Sequence, residues 1–94
     1  MQLYDVGDKI RITGTFITSS GAADPTTVTF QFYIKSMLIS EHVFGVDPDV
    51  IRDGTGVYHI DYTIPTPARW SYQIIGTGAV VASDWGHFVA QGVA

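Results

Sequence analysis

The feature that most constrains this chain is a period-two alternation of apolar and polar residues, the signature of strands, whose successive side chains point to opposite faces. From Lys9 to Phe16, Ile10, Ile12, Gly14 and Phe16 alternate with Lys9, Arg11, Thr13 and Thr15, as in a half-buried first strand. Thr26 to Lys35 repeats the pattern most clearly, with Val28, Phe30, Phe32 and Ile34 against Thr29, Gln31, Tyr33 and Lys35. Val57 to Ile64 places Tyr58, Ile60, Tyr62 and Ile64 on one side, and Arg69 to Gly76 sets Trp70, Tyr72 and Ile74 opposite Arg69, Ser71 and Gln73. No segment shows the three- and four-residue recurrence of an amphipathic helix, and the β-branched and aromatic content also favours strands.

The remaining segments are punctuated by turn formers: Ser19 to Pro25 (SSGAADP), Gly45 to Asp49 (GVDPD) and Asp53 to Gly56 (DGTG). Ser36 to Phe44 has no purely apolar face and reads as a weaker strand, and Val50 to Arg52 as a short one. Pro65 and Pro67 end the strand before them because proline cannot donate to a ladder. Val57 to Ile64 and Arg69 to Gly76 are expected to pair as a hairpin. Beyond Gly76-Thr77-Gly78, Ala79 to Ser83 and His87 to Val89 supply a last strand or a bulged pair, with Asp84-Trp85-Gly86 as a bend. Six or seven short strands separated by turns predict an all-β fold, a sandwich or a small barrel.

The 94 residues suit a single domain over residues 1–94. A chain of this size buries roughly 64% of the surface it exposes when unfolded, enough for one core. There is no cysteine, so disulfides and thiolate chemistry are excluded. Strand patterning close to Met1 leads us to expect a whole small gene product. The first residues, MQLYDVGDKIRI, lack the basic start and apolar run of a secretory signal, and no apolar stretch is long enough to span a bilayer as a helix. No membrane partner is expected.

Five basic residues stand against nine acidic ones, a net charge of -4, with no cationic cluster. Nucleic acid is therefore not expected as a partner, because binding it needs a basic stripe that displaces counterions from phosphate. Charged residues make up only 15% of the chain, against about 25% in average domains, which points to surface covered by partners.

No residue constellation recommends catalysis, and the chain is expected not to be an enzyme, with no catalytic residue and no cofactor. A Gly-x-Ser-x-Gly elbow is absent, and Glu41 is the sole glutamate. His42, His59 and His87 are scattered without zinc-site spacing, so no metal is assigned. Asp47, Asp49 and Asp53 read as turn chemistry instead of calcium ligands, since the closing glutamate of a calcium loop is missing. His59 and Asp61 share a strand face and read as a solvated or interface polar pair. The outward aromatics Tyr33 and Trp85 are the candidates for contact with another chain.

Asp53-Gly54-Thr55-Gly56-Val57-Tyr58 resembles the tyrosine corner of immunoglobulin-like folds. The resemblance implies an immunoglobulin-like antiparallel β-sandwich of about seven strands, in which Asp53 and Gly56 form the turn and the Tyr58 hydroxyl reaches back to its backbone. Ile60 stands where antibody domains carry their second cysteine.

Tyr4-Asp5-Val6-Gly7-Asp8, Asp24 to Thr29 (DPTTVT), Gly56 to His59 (GVYH) and the stretch from Trp70 through Gly78 together resemble a family of short phage virion structural proteins. The resemblance runs from Tyr4 to about Gly78, and Ala68 stands where that pattern has a glycine before the tryptophan. It implies an immunoglobulin-like part that decorates a head or sits at a neck or tail. The partners so implied are other virion proteins and copies of itself, the place is the virion, assembled in the host cytoplasm, and the mechanism is adhesion without chemistry. A carbohydrate-binding or adhesin-type module of the same fold is the alternative, and it requires an exposed aromatic row beside polar groups. Proline at Thr29 or Gln31 separates a central strand from an edge, unfolding the first and disturbing assembly at the second.

Overall fold

A computed structural model of the protein describes residues 2–78 and 81–92, and within them the chain is all strand and turn with no helix. Sequence alternation becomes burial directly. In β2 (Lys9–Thr15) each second residue is buried, and in β5 (Thr27–Ile34) Val28, Phe30 and Phe32 face the core while Thr29, Gln31 and Tyr33 face outward. The other elements are β1 (Gln2–Asp5), β3 (Ile17–Thr18), β4 (Gly21–Ala22), β6 (Met37–Val43), β7 (Val50–Gly54), β8 (Val57–Thr63), β9 (Ala68–Thr77) and β10 (Ala82–Gln91).

Two sheets form the sandwich. One has the order β1-β10-β9-β5-β6, the other β2-β8-β7, and β3 with β4 makes a separate two-stranded ribbon. Every pairing is antiparallel except β1 with β10. The seven strands of five or more residues, β2 and β5 to β10, take the immunoglobulin-like arrangement, in which the successive pairs β5–β6, β7–β8 and β9–β10 are dealt in turn to opposite sheets. Ser36 to Phe44, without a clean apolar face in sequence, is the strand β6 at the rim of the larger sheet.

Two expectations are corrected. β8 and β9 do not form a hairpin: β8 lies between β2 and β7, whereas β9 lies between β5 and β10. Residues 64–67 carry the chain from one sheet to the other, and Pro65 and Pro67, lacking N–H groups, cannot continue the β8 ladder. The crossing is held on both sides: Ile64 exchanges backbone hydrogen bonds with Gly7 and Asp8 of the β1–β2 turn, at 2.9 and 3.0 Å. The second correction concerns β10, which runs unbroken through Asp84-Trp85-Gly86 in register with β9. Gly86 lies opposite Tyr72, and a Cβ at Gly86 would run into the Tyr72 ring, so the glycine admits the ring instead of bending the strand. The expected strand material at Ala79 and Val80 lies outside the described residues.

The core is joined by a run of rings. Phe32 stacks on Tyr62 across the two sheets at 3.9 Å, Tyr62 meets Trp70 edge-on at 5.9 Å, Trp70 stacks on Phe88 at 5.9 Å, and Tyr4 closes the run edge-on to Phe88. Each such pair contributes about 0.5–1.5 kcal/mol beyond the area it buries.

Candidate functional site

Asp24 gathers four hydrogen bonds from three residues. It precedes Pro25 at the entry to β5, and its Oδ1 accepts hydrogen bonds from Gly56 N at 2.7 Å, the Tyr58 hydroxyl at 3.1 Å and Arg52 Nε at 3.2 Å. Its Oδ2 accepts from Arg52 Nη2 at 2.8 Å. The Arg52 guanidinium first, and then the Gly56 N–H, hold the carboxyl down at about 2. Both carboxylate oxygens are engaged, and the group stays ionised through the neutral range. It fastens the β4–β5 connection to the β7–β8 hairpin, so the Asp24 to Thr29 and Gly56 to His59 motifs meet in one structural clasp.

Asp53, Gly56 and Tyr58 are thereby placed, and Tyr58 is not a corner tyrosine. The turn joins β7 to β8 within a single sheet, and the Tyr58 hydroxyl donates to Asp24 and not to the turn backbone. Burial first, and then the bond to Asp24, pushes the Tyr58 hydroxyl above its ordinary pKa. Gly56 has φ +73°, and a Cβ there would press into the Phe16 carbonyl and the Ala23 backbone, so glycine is required. At the real crossing the reaching side chain is Trp70, whose Nε1–H donates to the Thr66 carbonyl at 3.0 Å. Tryptophan does there what a corner tyrosine does elsewhere, and tryptophan was not assigned that part from sequence.

The three loop aspartates have separate partners. Asp47 Oδ2 accepts from Val43 N at 2.7 Å, Asp49 lies 3.3 Å from His42 Nδ1, and Asp53 Oδ2 lies 2.6 Å from His59 Nδ1. Among the described residues no group of three potential ligands converges on a common point. On the outer face of the smaller sheet, His59 is 6% exposed, and Asp61 pairs with Arg11 at 2.8 and 3.0 Å. The Arg11 guanidinium lowers the Asp61 pKa.

Tyr33 and Trp85, assigned to an interface from sequence, come together on the outer face of the larger sheet. Their ring centroids are 5.4 Å apart at an angle of 42°, and Trp85 is 51% exposed. Register explains the meeting: Tyr33 lies opposite Ser71 and Trp85 opposite Gln73, so the rings reach over the intervening β9. Beside them the Tyr33 hydroxyl donates to Gln31 Oε1, and Gln31 Nε2 donates to Glu41 Oε2 at 2.6 Å. Gln31 and Gln73 were legible as outward by parity. Their alignment with the rings required the strand order.

The rim at β6 was not singled out from sequence. Met37, Leu38, Ile39, Phe44 and Val46 are all exposed there, Met37 at 67% and Val46 at 77%. A bulge places Ile39 opposite no residue of β5. The signal for this edge was the mixed character of both faces of Ser36 to Phe44.

The fold and these surfaces define an immunoglobulin-like β-sandwich. No family model and no curated protein matches the chain. Among solved structures it is similar to a candidate glycoside hydrolase from Bacteroides vulgatus, with 12% identity and a TM-score of 0.63 over 100% of this chain. The matched region is 17% of that larger protein, and at this identity the likeness concerns the fold alone.

Proposed function

We propose that this chain is a non-catalytic docking module of a phage virion, held in multiple copies on a capsid, neck or tail scaffold. The observation that carries docking is the apolar rim from Met37 to Val46, where β6, the last strand of its sheet among the described residues, coincides with five exposed large apolar side chains. An edge strand without proline or lysine invites a partner strand, and apolar side chains at its margin add buried area to the backbone pairing. The Asp47 carboxylate takes the Val43 N–H and so ends the available edge near His42. The virion setting rests on the sequence resemblance, and the low charge supports a surface covered in assembly.

The test is production of the full chain in infected cells with Ile39→Lys, which puts an ammonium group on the rim where strand pairing is already interrupted. The variant is expected to fold, by far-ultraviolet circular dichroism, and to disappear from purified particles that carry the unaltered protein at high copy number. Undiminished incorporation of the folded variant would remove β6 as the docking edge. Absence of the unaltered protein from particles would end the virion assignment.

A further inference from the structure

We infer that the outer face of the five-stranded sheet is a binding site for a neutral saccharide, centred on Tyr33 and Trp85. Two cross-strand rows build it: Gln31, Gln73 and Trp85 in one, and Tyr33, Ser71 and His87 in the next. Glu41 extends the first row on β6. The half-exposed indole and the tyrosine ring tilted 42° to it form an open aromatic surface. The apolar C–H face of a pyranose ring packs on such a surface, against the electron-rich side of the rings.

The groups around the rings match sugar hydroxyls, each of which both donates and accepts. Gln31 and Gln73 are amides with both capacities, and Ser71 adds a hydroxyl. The Gln31 amide is already oriented, with Tyr33 donating to its oxygen and its nitrogen donating to Glu41, so a ligand meets a fixed donor–acceptor array. The one charged group within the two rows is the Glu41 carboxylate, and the cations Lys35 and Arg69 border the hollow beside Ser71 and His87, at the end of the face away from Trp85. The groups beside the rings themselves are amides and hydroxyls, which suit an uncharged sugar. Flat aromatic area with a few placed polar groups is the usual composition of a site that recognises a small polar ligand. The face adjoins the β6 rim, where Glu41 pairs with Gln31 and Leu38 with Tyr33, but its aromatic centre is made by β5 and β10, so the two proposals are tested by different variants.

The two tryptophans give the test its readout, because Trp70 is 1% exposed and Trp85 is the one open to solvent. The full chain is titrated with neutral trisaccharides of glucose, mannose and N-acetylglucosamine while tryptophan emission is followed. At least one is expected to give a saturable blue shift, with amide NMR shifts confined to Gln31, Tyr33, Ser71, Gln73, Trp85 and their neighbours. Tyr33→Ala and Gln73→Ala should each weaken binding about tenfold with Trp85 still reporting. Trp85→Phe, followed by NMR, should retain part of the affinity, and Ile39→Lys all of it. Three results would overturn the site: no saturable response to any of the three sugars, an unchanged response in folded Tyr33→Ala, or a Trp85 shift that follows protein concentration without sugar. The last would give the face to a second copy of the chain.

Discussion

Asp24 and Trp70 act at points where the chain passes between layers. Asp24 has a folded pKa of about 2 against an ordinary 3.8, so its interactions are worth most when it is ionised. The sign follows: this stabilisation is fully present above 3.8 and is lost as pH falls through about 2. Thermal melting followed by circular dichroism should therefore show a falling midpoint across that interval. Asp24→Asn should melt lower at neutral pH and with a shallower acid slope. An equal slope in the variant would assign the acid sensitivity elsewhere. Trp70→Phe keeps a ring in the core but leaves the Thr66 carbonyl without its indole donor. A loss of about 2–3 kcal/mol is expected from the lost volume and bond, lowering the midpoint by about 10 °C or more.

Strands divide into those held on both sides and those held on one. β5 lies between β9 and β6, and Thr29 is in register with both Ile75 and Val43. Thr29→Pro should therefore unfold the domain, at a cost of about 3 kcal/mol or more, seen as loss of the strand signal. Ile39→Lys on the rim should stay within about 0.5 kcal/mol of the unaltered chain in denaturant unfolding. Reversed results would exchange the assignments of centre and edge. The individual strands were legible because inward parity needs only local alternation: Ile10 and Ile12, Val28 and Phe30, and Trp70 and Ile74 all reach the core as their spacing implies. Pairing was not legible. β8 and β9 are adjacent in sequence and equally patterned, and nothing local distinguishes a hairpin partner from a strand facing across the core. Gly86 shows the same limit: without Tyr72 opposite it, a glycine between Trp85 and His87 has the mark of a bend.

Across the whole molecule, the ring contacts from Phe32 through Tyr62, Trp70 and Phe88 to Tyr4 bind both sheets into one core. Neither sheet can keep its inner face dry without the other. Unfolding should therefore be a single transition, with Trp70 emission and the far-ultraviolet strand signal sharing one midpoint. Separate midpoints would mean that one sheet persists alone. What the amino-acid order determined by itself was the class of the fold, the alternating strand segments up to Gly76 and the outward parity of Tyr33, because a two-residue period depends on neighbouring side chains alone. Only the tertiary structure decided the rest: that Asp24 and not the turn backbone receives Tyr58, that Trp70 holds the crossing, and that Tyr33 and Trp85 share one face. Those facts depend on strand order and register, which arise when two amphipathic sheets bury against each other and bring together residues far apart along the chain.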